Sequence, residues 1–453
     1  MENNQLEKKY GLATAICMVV GTVIGSGVFF KAETILKATG GNLPMGIIAW
    51  IVGGMIMIVC AGTFAVMATK YEYVNGAVDY ADVTVGKKYG YFMGWYLATV
   101  YCPAITSVLA WVSARYFCVL IGFDITGPQC MLLSMLLMIF IFAMNTLAPK
   151  VAGKFQVTTT VIKLIPILLM AVVGTIVGLS NGTTIQNFTS VAAGAAESSS
   201  PLFRAIVATA FAYEGWIITT SINAELKDGK KNLPIALIVG TFAVMLIYIL
   251  YYIGISGAVD KAILMESGEQ GARIAFSNLF SNVAGTILFV FVVISCIGTL
   301  NGLMLGCVRN FYALAHRNLG PAPKMLDQVD KESGMPHNAA IMGLVMTAIW
   351  LVYFFGANLD ASWFGPVCFD SSELPIVTMY GMYIPMFIMF IKKEKDLPAF
   401  KRYILPILAI IGSAFMLVAA VYAHGIAVAW YCLVTVVIML IGAYYLNKTK
   451  ASL

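Results

Sequence analysis

Three groups of residues in this chain could act on a small charged molecule. The run Gly21-Thr22-Val23-Ile24-Gly25-Ser26-Gly27-Val28 lies inside an apolar stretch of membrane-spanning length. Glycines that dense weaken a helix where lipid supplies no water to repair the backbone. A break over residues 24–27 leaves a half-helix whose first N–H groups are unpaired and partly positive. That is a carboxylate receptor made from backbone alone. A second run, Phe211-Ala212-Tyr213-Glu214-Gly215-Trp216, sets an acid beside a glycine in mid-span. An acid at that depth is tolerated only beside water, a partner or a ligand. The third group is a lone cation, Lys163, about three turns into the fifth apolar run and too deep to snorkel to the surface.

Each group leaves alternatives open. The Lys163 ammonium needs acceptors, either exposed carbonyls of the broken first span or the hydroxyls of Ser295 or Thr299 on the eighth. It is a fixed charge standing where a sodium ion would tether the helices, or a group that releases its proton during a transport cycle. Glu214 pairs with Lys163, faces the substrate, or faces water beneath the site. Phe211 and Trp216 bracket the second break, where an aromatic ring could gate a small ligand, although packing is the commoner fate of such rings. The glycines at 25 and 27 could equally form a close helix-packing face. Arg115, Arg204 and Glu373 fall near outer ends of spans and are expected at the interface. Glu225, Lys227, Lys230, Lys231 and Pro234 form a charged segment after the sixth span, a solvated loop or an inner latch.

Catalysis finds little support. No nucleophile–base pair is evident, and His316, His337 and His424 show no metal-ligand spacing. The nine cysteines contain no C-x-x-C pair and mostly sit within apolar runs, as small packing residues do. Cys118 and Cys130 flank an outer loop and could pair, on spacing alone. The sequence therefore predicts no enzyme, no metal and no cofactor.

The elements that must position these residues are membrane helices. The chain has 453 residues, 60% hydrophobic and 11% charged, with a mean hydropathy of +0.86. Apolar windows of about 20 residues recur along nearly its whole length. About twelve spans result, and no soluble domain fits between them. With both termini cytoplasmic, most of the 28 lysines and arginines fall on the inner side. The outer side keeps only Lys31, Lys37, Arg115, Arg204, Lys261 and Arg273, following the positive-inside rule. The net charge of +6 is thus topology, and no nucleic-acid partner is expected. The first span lacks a small-residue cleavage site and is expected to be retained. Two interrupted spans, the first and the sixth, suggest two inverted repeats of five spans. They cover about 10–180 and 200–394, followed by peripheral helices over about 402–447, in a single transporter domain of residues 1–453.

At these same residues the chain resembles a known family. Val23-Ile24-Gly25-Ser26-Gly27-Val28-Phe29 resembles the first-span motif of the amino acid–polyamine–organocation superfamily. Residues 211–216 resemble the sixth-span motif of its L-type amino acid transporter branch. Glu225-Leu226-Lys227 with Lys231-Asn232-Leu233-Pro234 is similar to the segment after that span. Ser295 through Asn301-Gly302, with Arg309 and Pro321, is similar to the eighth-span region. The likeness runs in register over roughly residues 10–325. It implies an all-α, LeuT-like fold of five plus five spans with two peripheral helices, and sodium-independent exchange of small neutral L-amino acids. It assigns the substrate carboxylate to the N–H groups of Gly25, Ser26 and Gly27. The ammonium goes to carbonyls around Val23 or Ile24 and Phe211, Ala212 or Glu214. Phe211 takes the place of the outer-gate aromatic, and Lys163 that of the lysine filling the sodium site of sodium-coupled relatives.

Some positions depart from the pattern. Glu72-Tyr73-Val74-Asn75-Gly76-Ala77 replaces a Pro-x-x-Gly-Gly stretch after the second span. Glutamate at 214 replaces a smaller residue or shorter acid, which points toward a polar or cationic substrate. The outer loop at 121–128 lacks the cysteine that joins eukaryotic members to a glycoprotein, so the resemblance implies no covalent heavy-chain partner. A multi-pass protein of the bacterial cytoplasmic membrane is expected, with alternating access between bilayer faces. Proton-coupled symport through Lys163 or Glu214, and a non-transporting amino acid sensor on the same scaffold, are the rival readings.

Overall fold

Inside a bilayer every backbone N–H and C=O must find its partner within the protein, which favours continuous helices. The computed structural model describes residues 11–71, 76–190, 200–217, 220, 226–267, 269–359 and 363–451, and every element among them is a helix. The order is α1 (Leu12–Val23), α2 (Gly27–Ala38), α3 (Leu43–Lys70), α4 (Ala77–Thr84) and α5 (Lys87–Ile121). Then come α6 (Pro128–Leu147), α7 (Pro149–Ser180), α8 (Thr183–Thr189), α9 (Pro201–Ala212), α10 (Gly229–Ala258) and α11 (Lys261–Ser267). The chain continues through α12 (Glu269–Ala315), α13 (Pro323–Leu326), α14 (His337–Leu359), α15 (Leu374–Lys393), α16 (Phe400–His424) and α17 (Ala427–Lys448).

Ten of the described helices are long and apolar enough to cross a membrane, or eleven with α1 and α2 taken as one bent span. The difference from the expected twelve lies at the sixth run. There α9 is only 12 residues long, and residues 218–219 and 221–225 fall outside the described set. The expectations for Glu72–Asn75 and for Glu225 also lie outside it. This is a multi-pass membrane protein. Large side chains such as Phe140, Leu147, Val161 and Leu440 stand exposed on its perimeter, as a lipid solvent permits.

Burial sorts the helices. In α5 78% of the spanning window is covered by protein, whereas in α17 only 11% is. Around α5 lie α6, α12 and α14, while α10 packs on α1, α3 and α7. Small residues let backbones meet where α7 crosses α10. A Cβ on Gly254 would lie 3.1 Å from Ala171 Cα, and one on Gly174 would lie 2.8 Å from the Gly254 carbonyl carbon. Gly254→Val should therefore cost about 1–3 kcal/mol through overpacking, seen as earlier thermal unfolding in detergent. An unchanged melting temperature would show that this crossing relaxes freely.

Candidate functional site

The bent pair forms where the glycines require it. Helix α1 ends at Val23, Ile24 turns extended at φ −68° and ψ 112°, and α2 restarts at Gly27 after a 46° change of direction. The break exposes two kinds of backbone group. On the carbonyl side, Val23 O accepts from the Tyr248 hydroxyl at 2.9 Å, and Gly21 O accepts from Lys163 Nζ. On the amide side, Phe30 N–H is the first in α2 to reach an intrahelical acceptor, Ser26 O at 2.9 Å. The N–H groups of Gly27, Val28 and Phe29 precede it and have none within the helix. Ser26 is fully buried, and its Oγ has no hydrogen-bond partner.

The second break abuts the first. Helix α9 stops at Ala212, and the chain turns through Tyr213, Glu214 and Gly215. Gly215 takes φ +109°, a conformation that L side chains rarely adopt. Its missing Cβ also matters, because one there would meet Thr22 O at 2.7 Å. Reciprocally, a Cβ on Gly27 would lie 2.6 Å from Ala212 Cα. Each break thus presents a glycine to the backbone of the other. Tyr213 stacks on Tyr248, with ring centroids 5.3 Å apart, and donates to Trp50 O at 2.9 Å. That contact holds the turn against α3.

The buried acid and the buried cation are not paired with each other. Glu214 accepts a hydrogen bond from the Tyr101 hydroxyl, and Lys163 reaches the Gly21 carbonyl on α1. Of the acceptors anticipated for Lys163, the structure thus supplies the carbonyl. Thr299 Oγ1 instead donates to Ser295 O at 3.0 Å, and Ser295 Oγ is buried without a partner. Thr299 packs on the bare face of Gly25, where a Cβ would meet its methyl carbon at 2.7 Å.

Tyr101 was not anticipated. It closes a π-helical turn at Leu97–Tyr101 in α5, and Pro103 follows two residues later. Proline lacks the N–H that would bond the carbonyl four residues back. That carbonyl, Thr99 O, accepts from Trp350 Nε1 at 2.9 Å. The Tyr-Cys-Pro sequence carried this signal, since mid-helix prolines and π-turns recur at functional positions.

Phe211 and Trp216 occupy different environments. Phe211 meets Phe30 edge-on with centroids 5.8 Å apart, and Lys31 Nζ sits 5.2 Å from its ring centre. Trp216 lies on the other side of the turn, against Phe64 at 5.6 Å and Tyr383 at 6.0 Å. They do not share one gate.

Lys31 and Glu373 correct the surface assignments. Both are buried, and they pair at 2.6 Å. Ser372 Oγ accepts from Lys31 Nζ at 3.3 Å, and Glu373 Oε2 lies 3.1 Å from His424 Nε2. Asp370 braces this turn by accepting from the Ser372 and Glu373 N–H groups at 2.7 and 2.9 Å. Glu373 thereby links α2, the start of α15 and the end of α16. Hydropathy placed Lys31 on the outer side and Glu373 at the interface because it cannot see that two charges near span ends meet under cover. Arg115 is half-buried, over the Trp111 ring at 4.8 Å, while Arg204 is exposed. Cys118 and Cys130 are buried free thiols, and Lys227, Lys230 and Lys231 are exposed. Among the described residues no group of three His, Cys, Asp or Glu could hold a metal ion.

Comparison with known proteins identifies the family. A family model described as amino acid permease matches residues 10–444. The chain belongs to the amino acid permease family. Its relatives include the serine/threonine exchanger SteT of Bacillus subtilis, 29% identical with 100% of this chain and 99% of that protein covered. The b(0,+)-type amino acid transporter 1 of Mus musculus is 25% identical over 98% of this chain and 88% of its own. The human cystine/glutamate transporter is 24% identical over 80% and 70%. This permease is a transporter rather than an enzyme.

Removing one partner of its buried ion pair strands the other. Glu373→Gln should destabilise the permease by about 3–5 kcal/mol, whereas Lys31→Met with Glu373→Leu should recover most of that loss. Thermal unfolding of the purified variants decides it. Equal losses in the single and double variants would show that the pair matters by shape, not charge.

Proposed function

We infer that this permease exchanges small neutral L-amino acids across a membrane, independently of sodium, by alternating access. The observation that carries the reading is the meeting of the two breaks. The N–H groups of Gly27, Val28 and Phe29, without acceptors in the helix, and the unpartnered Ser26 hydroxyl stand at one end, and helix-terminal carbonyls at the other. An amino acid carries those charges the other way round. Its carboxylate takes the N–H groups of Gly25, Ser26 and Gly27. Its ammonium takes carbonyls among Val23, Ile24, Phe211, Ala212 and Glu214. Phe211, held between Phe30 and Lys31, covers the outer side, and Trp216 packs beneath the turn.

Lys163 supports the independence from sodium. Its ammonium sits on the Gly21 carbonyl, so a cation already occupies the place where an ion would join α1 to α7. Ser295 and Thr299 line the neighbouring face of α12. The fold in this reading is the five-plus-five inverted repeat over about 10–180 and 200–394 with two peripheral helices. Both termini are cytoplasmic in a bacterial membrane, and no covalent heavy chain is attached. The exchange named for the Bacillus subtilis relative supports both the small substrate and the antiport.

One observation favours a second reading. Glu214 is buried against a tyrosine rather than a cation, an environment in which a carboxyl can carry a proton. Proton-coupled symport would then run through Glu214.

Radiolabelled serine uptake into proteoliposomes separates the two. Uptake that requires internal serine and ignores a pH gradient is expected. Uptake into empty vesicles driven by an inward proton gradient would make the protein a symporter, and binding without flux would make it a sensor. Lys163→Ala should lower exchange about tenfold or more, the scale of a lost charge-assisted hydrogen bond. Unchanged exchange and net flux would remove Lys163 from the mechanism.

A further inference from the structure

A cavity opens on the membrane perimeter. It has a volume of about 410 Å³ and is walled by α5, α14 and α17. Its origin is legible in the contacts. One edge of α17 is pinned to α5, since the Tyr91 hydroxyl donates to Gly442 O at 2.8 Å and Trp95 Nε1 to Ile438 O at 2.9 Å. The approach is close because Gly442 has no side chain, and a Cβ there would lie 2.6 Å from the Trp95 ring. Pinned along that edge, α17 stands away from α14 and leaves a cleft. Ile349 on α14 and Ile441 on α17, 55% and 47% exposed, flank its opening toward the bilayer.

Lining chemistry selects the occupant. The polar atoms of the wall are spent on the protein itself. Trp350 Nε1 bonds Thr99 O, Thr99 Oγ1 bonds Trp95 O at 2.7 Å, and the Tyr353 hydroxyl bonds Val367 O at 3.1 Å. What remains is hydrocarbon and aromatic surface, which water does not fill. Along α14 the lining runs from Met342 to Tyr353, about 16 Å at helical rise. That is roughly half the hydrocarbon thickness of a bilayer, the depth of one leaflet.

Charge marks one end. On α5 the stripe Thr99, Trp95, Tyr91 continues at helical spacing to exposed Lys88. On α17 the stripe Ile438, Ile441, Tyr445 continues to exposed Lys448. Both stripes therefore finish in a cation at the same end, where Trp95 and Tyr445 meet with ring centroids 5.9 Å apart.

We propose that this cleft is a binding site for one anionic phospholipid, its acyl chain between α14 and α17 and its phosphate between Lys88 and Lys448. The lipid belongs to the leaflet bordering those lysines, the cytoplasmic one in the orientation given above. The proposal needs only a membrane protein and is independent of what is transported.

Native mass spectrometry of the purified full-length protein tests it, with equal amounts of phosphatidylglycerol and phosphatidylcholine added in detergent. The wild type should retain one phosphatidylglycerol with a preference of about tenfold or more, each lysine being worth roughly fivefold. Lys88→Gln with Lys448→Gln should erase the preference, and Met346→Trp should displace both lipids by filling the cleft. Equal retention of the two lipids by the wild type would overturn the proposal, as would adducts that neither variant changes. A lipid-free dimer would assign the cleft to a second copy and overturn it too. A readout on the unmodified protein guards against misfolded variants. Brominated phosphatidylglycerol should quench tryptophan fluorescence more than brominated phosphatidylcholine at equal mole fraction, because Trp95 and Trp350 line the cleft. Equal quenching refutes the headgroup preference.

Discussion

A backbone that leaves the helical path inside lipid has to be received by other parts of the protein. Around residues 24–26 that requirement recruits groups from five helices. Tyr248 of α10 takes the Val23 carbonyl, and Lys163 of α7 takes that of Gly21. Thr299 of α12 fills the space left by Gly25, Ala212 of α9 that left by Gly27, and Trp50 of α3 holds the neighbouring turn through Tyr213. Without the break these contacts would have no common target. These five groups are arranged about that one interruption.

Several of these features could be read from residue order. Dense glycines in a spanning run locate the first interruption, because glycine is poor at holding a helix and nothing in lipid compensates. Glu214-Gly215 locates the second for the same reason together with its charge. Lys163 stands out because no other charged residue lies between Lys154 and the end of its span. The partners were not legible. Which carbonyl Lys163 reaches, and that Tyr101 rather than Lys163 meets Glu214, depend on how far apart α5, α7 and the turn after α9 come to rest. Hydropathy also misplaced Lys31 and Glu373, since a window average treats a charge near a span end as solvated. Only tertiary structure reveals that two such ends close over each other.

Four buried charged residues fall into two layers with different physics. Lys163 and Glu214 lie deep, one on a carbonyl and one on a hydroxyl, so each charge is answered by a dipole. Lys31, Glu373 and His424 lie toward the opposite end from Lys70 and Lys88, and there charge is answered by charge. Dipoles tolerate small displacements, while a desolvated ion pair is all or nothing. The ion-paired layer is therefore the more cooperative of the two, and Phe211 lies against it.

The reciprocal glycine contacts have a mechanical corollary. Gly27 rests on Ala212 and Gly215 rests on Thr22, with no side chain between them to compress. If one half-helix rotated alone, it would drive backbone into backbone on one side and open a void on the other, and close-packed interiors resist both. The two interruptions are consequently meshed like gear teeth. A displacement of either therefore meets the backbone of the other directly.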